Sequence, residues 1–332
     1  MKPKSIKSLL ALALLAPGVL FAQTTAKTTP VGYVTEVLEP NRDNLIGLTV
    51  HSPAVASGVL DSATNETVTD AGVDYTSLLT AGSTYILEIT NGSGNGVIQE
   101  VTAWTATTLS TPQNISSQIT GGTTTYKLRK APTISDIFGS TNSVGLTSSP
   151  DGSASAADVI LVPDGAGGFI NIVFYDDGAD QLWIDASFND VSNLPIVYTD
   201  ALVVARKGGV AKSLTVSGEV KLTPTKYVFN SGDNYVGAVY PVGSTLGGST
   251  MGPQMLASLD GSAGDADLVL MPDGAGGYTT FMYYNDGADQ LWIDGSFNDS
   301  TTTSLTSGFV FNSKSGSAKS ITNNPASFYS TL

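Results

Sequence analysis

Two copies of the pentapeptide Gln-Leu-Trp-Ile-Asp carry the clearest candidate binding chemistry in this chain of 332 residues. Side chains alternate between the faces of a strand, so Gln181, Trp183 and Asp185 share one face and Leu182 and Ile184 share the other. If the aliphatic pair faces the core, the indole points outward beside an amide and a carboxylate. The second copy offers the matching set Gln290, Trp292 and Asp294.

An exposed indole with polar neighbours is typical of sugar recognition, because the ring stacks on C–H surface while the polar groups hold hydroxyls. The alternative is that each Trp caps the core or packs against the other copy, since Trp is highly buried on average. Both interpretations stay open at this stage. The first predicts two polysaccharide-binding faces, which gain avidity when one polymer spans both.

Aspartate-rich turns form a second candidate site. Of the 29 acidic residues 23 are Asp, and short carboxylates favour both tight turns and compact calcium loops. The spacing lacks the EF-hand pattern, so we predict turn chemistry and keep calcium as the alternative. The oxygen ligands of such a calcium site would be Asp176, Asp177, Asp180, Asn285, Asp286 and Asp289.

Composition excludes several other functions. The chain has no cysteine, which removes thiol catalysis and Cys-ligated zinc, and its net charge of −14 repels nucleic acid. The one imidazole, His51, has no recognisable triad partner, and neither Gly-x-Ser-x-Gly nor a marked general acid accompanies it. We therefore predict that the chain is not an enzyme. A glycan-active hydrolase, which needs only two carboxylates, is a weaker alternative.

The N-terminus predicts export. Lysines precede an apolar run over 9–15, and a small-residue site suggests cleavage after Ala22, so residues 1–22 are predicted to be a signal peptide. No later stretch has the roughly 18 apolar residues of a membrane-spanning helix. We expect a secreted, periplasmic or cell-surface protein with no membrane span after cleavage.

Comparison of the chain with itself shows a repeat. Residues 151–190 align without a gap to 260–299, and 27 of the 40 aligned positions are identical. Upstream and downstream matches extend the repeat. They predict an N-terminal β domain over 23–125, a first module copy over 126–230 and a second over 231–332.

Short runs rich in Val, Ile, Thr and Tyr between Asn, Gly and Asp clusters predict an all-β protein with antiparallel sandwich or barrel-like domains. Within each module, residues 158–185 and 267–294 should form a three-stranded meander. Residues 201–206 and 211–218 should form a further hairpin closed by Lys207-Gly208-Gly209.

The chain resembles a family of uncharacterised secreted β-rich proteins from environmental Gram-negative bacteria, over about residues 31–222. The resemblance rests on several segments, which include Pro30-Val31-Gly32-Tyr33-Val34-Thr35, Tyr85-Ile86-Leu87-Glu88-Ile89-Thr90 and Tyr126-Lys127-Leu128-Arg129-Lys130-Ala131-Pro132. The resemblance implies export and an all-β fold, and it assigns no catalytic residue. The second module copy departs from the family pattern.

These observations predict a secreted, non-catalytic protein that binds polysaccharide or cell-envelope material through its two modules. The alternative is a structural surface or matrix protein that self-associates through exposed strand edges.

Overall fold

A computed structural model describes residues 29–332 and shows an all-β fold, which confirms the predicted class. Two short α-helices, Tyr75–Leu78 and Ile134–Phe138, occur in this part of the chain, and neither is long and apolar enough to cross a membrane. The predicted signal peptide, 1–22, lies outside the described residues.

Twenty-two strands make up six antiparallel sheets. In chain order they are β1 (Val31–Leu38), β2 (Asp43–Gly47), β3 (Ala54–Val59), β4 (Ser62–Thr64), β5 (Thr67–Thr69), β6 (Tyr85–Ile89), β7 (Ile98–Val101), β8 (Ala103–Trp104), β9 (Thr108–Ser110), β10 (Thr125–Lys130), β11 (Val159–Pro163), β12 (Phe169–Asp176), β13 (Gln181–Asp185), β14 (Ala201–Ala205), β15 (Lys212–Glu219), β16 (Thr225–Phe229), β17 (Gly232–Gly237), β18 (Leu268–Pro272), β19 (Tyr278–Asn285), β20 (Gln290–Asp294), β21 (Gly308–Ser313) and β22 (Lys319–Asn323).

Two five-stranded sheets have the same internal order. The first sheet runs β13-β12-β11-β14-β2 and the second runs β20-β19-β18-β21-β17. A two-stranded ribbon accompanies each, β1-β15 with the first and β16-β22 with the second. We call each five-stranded sheet together with its ribbon a unit. The register also agrees, since Trp183 pairs with Phe174 and Trp292 pairs with Tyr283. The repeated segments therefore occupy the same strands of two sheets.

The predicted domain boundaries differ from this arrangement. Strands β1 and β2 pair with β15 and β14, so they belong to the first five-stranded sheet and its ribbon, not to a continuous N-terminal domain over 23–125. Residues 54–130 form two four-stranded sheets, β3-β10-β6-β7 and β4-β5-β9-β8, which we call the inserted domain. The second unit begins at β16, before the predicted boundary at 231. Pairing between strands so distant along the chain leaves no local sequence signal.

One asparagine fixes the turn between the first two strands of each unit. The side-chain amide of Asn44 donates to the carbonyl oxygens of Glu39, Arg42 and Val204, while its oxygen accepts the Glu39 N–H. Asn234 makes the corresponding four bonds in the second unit. Both lie in an Asp-Asn-x-x-Gly sequence, at 43–47 and 233–237.

The hairpin predicted for 201–218 is wrong, since β14 pairs with β11 and β2 while β15 pairs with β1. The buried guanidinium of Arg206 holds the chain at the point where it leaves β14. It donates to the Asp158 carboxylate at 2.8 Å and to the carbonyl oxygens of Leu38, Gly208 and Val210. These bonds fix the connection as an open loop, so β15 leaves the sheet and joins the ribbon.

The two five-stranded sheets pack on each other through equivalent positions. Leu45 and Val203 from the first sheet share a buried cluster with Val310 of the second, and Tyr235 packs on this cluster. At one corner Gly47 approaches Gly237 so closely that a methyl group on Gly47 would collide with the Gly237 Cα and the Ser307 carbonyl oxygen. Glycine is therefore required by contact between backbones at this crossing.

We predict that Gly47→Ala lowers the free energy of unfolding by about 3 kcal/mol or more, because two backbones would have to separate. The matched control is Gly295→Ala. A Cβ there meets no atom within 4 Å, and Ala186 occupies the corresponding position in the first sheet. The control should change stability by less than about 0.5 kcal/mol. Urea unfolding followed by tryptophan fluorescence measures both, and equal effects would contradict the proposed crossing contact.

Candidate functional site

Both tryptophans of the repeated pentapeptide lie in the core, with exposed fractions of 0% for Trp183 and 2% for Trp292. The Trp183 indole packs against Phe138 and Phe174, and its Nε1–H donates to the Gly139 carbonyl oxygen at 2.9 Å. The prediction that these indoles face solvent is therefore wrong. The site residues Trp183 and Trp292 cannot present a stacking surface in this fold.

The prediction drawn from the alternation of side chains failed because both faces of the strand are covered. On the face opposite Trp183, Ile184 is also buried and forms a smaller cluster with Val159 and Val173. In the second sheet Ile293 lies in an equivalent cluster. A period of two identifies which side chains share a face, but it cannot tell the larger core from the smaller one.

The polar members of the pentapeptides hold their own turns. Asp185 accepts hydrogen bonds from the Asn189 side-chain amide and from the backbone N–H groups of Asn189 and Ser187, and these bonds lower the pKa of Asp185. Gln181 is exposed, and its amide donates to Asp176 at 3.2 Å. Asp294 repeats the bonds of Asp185, and Gln290 is exposed. The structure therefore does not gather the predicted ligand-binding set around the indoles.

In the acidic turns, carboxylates accept hydrogen bonds from backbone N–H groups of the same turn, as predicted for Asp in tight turns. One carboxylate oxygen of Asp177 accepts the N–H groups of Asp180 and Ala179, the other accepts the Tyr175 hydroxyl, and these bonds lower the pKa of Asp177. Asp286 makes the equivalent contacts in the second unit. Within residues 29–332, no group of three or more His, Asp or Glu side chains is placed to hold a metal ion. Calcium stays a prediction for the six residues of these two turns, which are Asp176, Asp177, Asp180, Asn285, Asp286 and Asp289.

A groove of about 940 Å³ opens where the two units and the inserted domain meet. One wall is β7 of the inserted domain, the second is the glycine-rich turn 163–168 with Phe169, and the third is formed by β16 and β17. Its polar lining includes Gln99, Gln113, Thr199 and Asn230. Its size lies in the range of pockets that hold small organic ligands.

An aromatic pair joins two of these walls. The rings of Phe169 and Tyr235 meet edge to face with centroids 4.7 Å apart, and both are partly exposed. Phe169 begins β12 directly after the turn, whose shape is held by Asp164 accepting the N–H groups of Gly168 and Ala166. The packing of one five-stranded sheet on the other brings Tyr235 to this turn. An edge-to-face pair at a groove wall offers ring surface for stacking.

The charge of the groove is negative. Glu100, Asp200 and Asp233 line it, with Lys226 as the basic lining residue. The Asp200 N–H donates to the Val197 carbonyl oxygen, and Asp200 bridges to Val236 of β17, so both sheets fix its backbone. Burial, reinforced by the charge of Glu100, raises the pKa of Asp200 to about 6. Sequence alone does not mark this Asp, because its environment comes from two distant segments.

Buried charges attach the inserted domain beside the groove. Glu88 on β6 accepts hydrogen bonds from the Lys221 ammonium and the Thr223 hydroxyl, and Arg129 on β10 lies 3.5 Å from it. Arg129 also binds Glu219 of β15 at 2.6 Å. Burial alone would raise the pKa of Glu88, but the charges of Lys221 and Arg129 hold it well below its usual range.

His51 lies in the same junction and is buried. Burial lowers its pKa to about 3, so the ring is neutral near pH 7. Its Nε2 is 2.9 Å from the Val239 carbonyl oxygen and acts as the donor in the neutral tautomer assigned from this contact. The ring also packs on Tyr198 with centroids 4.3 Å apart. His51 therefore joins the two units and does not line the groove.

The sequence did hold signals for this site. The repeated Asp-Asn-x-x-Gly sequence at 43–47 and 233–237 marks β2 and β17 as equivalent strands, and it places Tyr235 next to the sheet crossing. An aromatic residue follows the glycine-rich turn in both units, Phe169 and Tyr278. Neither pattern reveals the groove, because its third wall comes from the inserted domain.

We predict that Trp183→Ala and Trp292→Ala each lower stability by roughly 3–5 kcal/mol, since each removes a large buried ring from the core. Chemical denaturation of each variant measures the change. Leu78→Ala is the matched control, because that apolar side chain is 47% exposed. Loss of ligand binding without loss of stability in the Trp variants would contradict their assignment to the core.

We predict that Asp200→Asn stabilises the protein above pH 6 by about 1 kcal/mol, after allowance for solvent screening, and that this difference disappears at pH values well below the unfolded pKa of 3.8. The folded-state pKa lies above the unfolded value of 3.8, so the folded state loses stability as pH rises from about 4 through about 6. Thermal unfolding of parent and variant across this range tests the sign. A constant difference at all pH values would contradict it.

No protein-family model matches the chain, and neither a curated protein nor a solved structure matches it. The function must therefore be inferred from the groove and its lining side chains.

Proposed function

We propose that this chain is a secreted, non-catalytic protein that binds an extracellular polysaccharide or cell-envelope glycan in the groove between the two units and the inserted domain. The observation that carries the proposal is the aromatic pair Phe169 and Tyr235 at the wall of a polar groove. Ring faces stack on sugar C–H surface, and the amides and hydroxyls of the lining hold sugar hydroxyls.

The shape of the site supports a long polar ligand. The groove is open to solvent and its walls come from three separate segments, so a polymer could enter and leave without the fold opening. The negative lining and the net charge of −14 disfavour anionic polymers and nucleic acid. Export is part of the proposal and rests on the N-terminal signal, which precedes the described residues.

We also propose that the two sheets arose by duplication of one module, and that the inserted domain interrupts the first copy. The shared strand order, the 27 identities in 40 positions and the matched bonds of Asn44 and Asn234 support this. The proposal replaces the binding surface predicted on the two indoles with one groove that depends on both copies.

Assembly through strand edges is less well supported. At the outer edge of the first sheet, the Trp183 N–H donates to the Ser192 hydroxyl and its carbonyl oxygen accepts the Val191 N–H. At the same edge of the second sheet, Ser300 and Thr301 make the corresponding bonds to Trp292. The chain itself therefore occupies these two edges, which blocks strand addition there.

A glycan array followed by calorimetry tests the proposed function. Phe169→Ala should weaken binding at least tenfold, about 1.4 kcal/mol, because it removes the stacking ring. Tyr278→Ala is the matched control, since Tyr278 follows the equivalent turn of the second unit and does not line the groove. Equal binding by both variants and the parent would remove the groove as the site. Release of new reducing ends during incubation would indicate a glycan-active hydrolase instead.

A further inference from the structure

The groove holds two carboxylates that the proposed stacking role does not use. Asp200 precedes β14 and Glu100 lies on β7, so they reach the same groove from the first unit and from the inserted domain. Neither takes part in an ion pair within residues 29–332, where the five ion pairs involve other carboxylates. Their negative charge therefore remains without a protein cation.

The position of Asp200 is fixed while its charge is unfavourable. Its backbone is held by the hydrogen bond to Val197 and by the bridge to Val236, so the Cα that carries this carboxylate has a fixed position at the groove. Burial and the nearby charge of Glu100 both disfavour its ionised form. A cation in the groove would relieve the repulsion between the two carboxylates.

The other charged groups of the groove do not supply that cation. Lys226 on β16 lines the groove but forms no ion pair in the described part of the chain. Asp233 on β17 adds a further negative charge, and its carboxylate accepts a hydrogen bond from Asn312 at 2.6 Å. Asp200 and Glu100 are therefore without a paired protein cation in the described residues, and a cationic ligand would supply one.

We propose that the groove selects a polysaccharide that bears free amino groups, with an ammonium group of the sugar placed between Asp200 and Glu100. The inference rests on the proposed function and names the ligand class of the same site. The aromatic pair would hold the adjoining sugar ring, and a protonated amine gains attraction from ring faces as well as from carboxylates. An N-acetyl group in place of the amine removes the charge and leaves both carboxylates unpaired.

Binding should also depend on pH with a defined sign. A bound ammonium favours the ionised form of Asp200, so binding releases a proton when Asp200 is protonated in the free protein. Affinity for the amine should therefore fall as pH drops below about 6, while the affinity for a neutral sugar should not.

Calorimetry with three oligosaccharides of equal length tests the inference: a β-linked glucosamine hexamer, its N-acetylated form and a glucose hexamer. At pH 6.5 and low salt the glucosamine hexamer should bind at least tenfold more tightly than the other two. Asp200→Ser should remove this preference. Serine is the residue at the equivalent position of the second unit, Ser307, and should fold there.

Glu100→Gln should weaken amine binding in the same way. Glu66→Gln is the matched control, because it removes one exposed charge from the inserted domain outside the groove. If the three hexamers bind equally and Asp200→Ser changes nothing, the inference is overturned while the proposed function stands. If no glycan of the array binds, both the function and the inference fail.

Discussion

The carboxylate of Glu88 lies between two buried cations at the point where the inserted domain meets the rest of the chain. Arg129 comes from the inserted domain itself, whereas Lys221 follows the ribbon strand β15. Removal of one partner from such a cluster leaves an uncompensated buried charge, which costs far more than an exposed ion pair contributes. The cluster therefore fixes the orientation of the inserted domain, since moving that domain away would separate these buried charges.

The position of the groove depends on this charge cluster. With the inserted domain held on β15 and the segment after it, the Gly96 carbonyl oxygen accepts the N–H of Lys226, and β7 comes to rest beside β16. The opposite wall depends on the crossing at Gly47 and Gly237, which sets the distance between the turn before Phe169 and the strand that carries Tyr235. Two rigid contacts, one ionic and one steric, thus position the aromatic and acidic side chains of the site.

Local signals in the sequence were sufficient for the strands but not for their partners. Runs of Val, Ile and Thr predicted an all-β chain and located the meander β11-β12-β13, because β-branched residues fit a pleated, half-buried surface. The pairing of β1 with β15 was not predicted, since the inserted domain separates strands that are adjacent in space. The prediction of a hairpin at 201–218 failed because Arg206 and its buried partner Asp158 redirect the chain, and the ion pair joins residues far apart in sequence.

The candidate site was missed for a related reason. Alternation placed Trp183 on a face correctly but could not show that both faces are covered, and no pattern placed Glu100 beside Asp200.

The inserted domain interrupts one of the two units, and this sets how many grooves of this kind one chain contains. Although the two five-stranded sheets have equivalent strands, the wall that β7 supplies has no counterpart in the second unit, where Gly237 leads directly through 238–241 to the next segment. The number of such grooves is therefore set by the number of inserted domains and not by the number of sheets. Under the proposed function, one chain would hold one segment of polymer, and crosslinking of a polymer network would require several chains to act together.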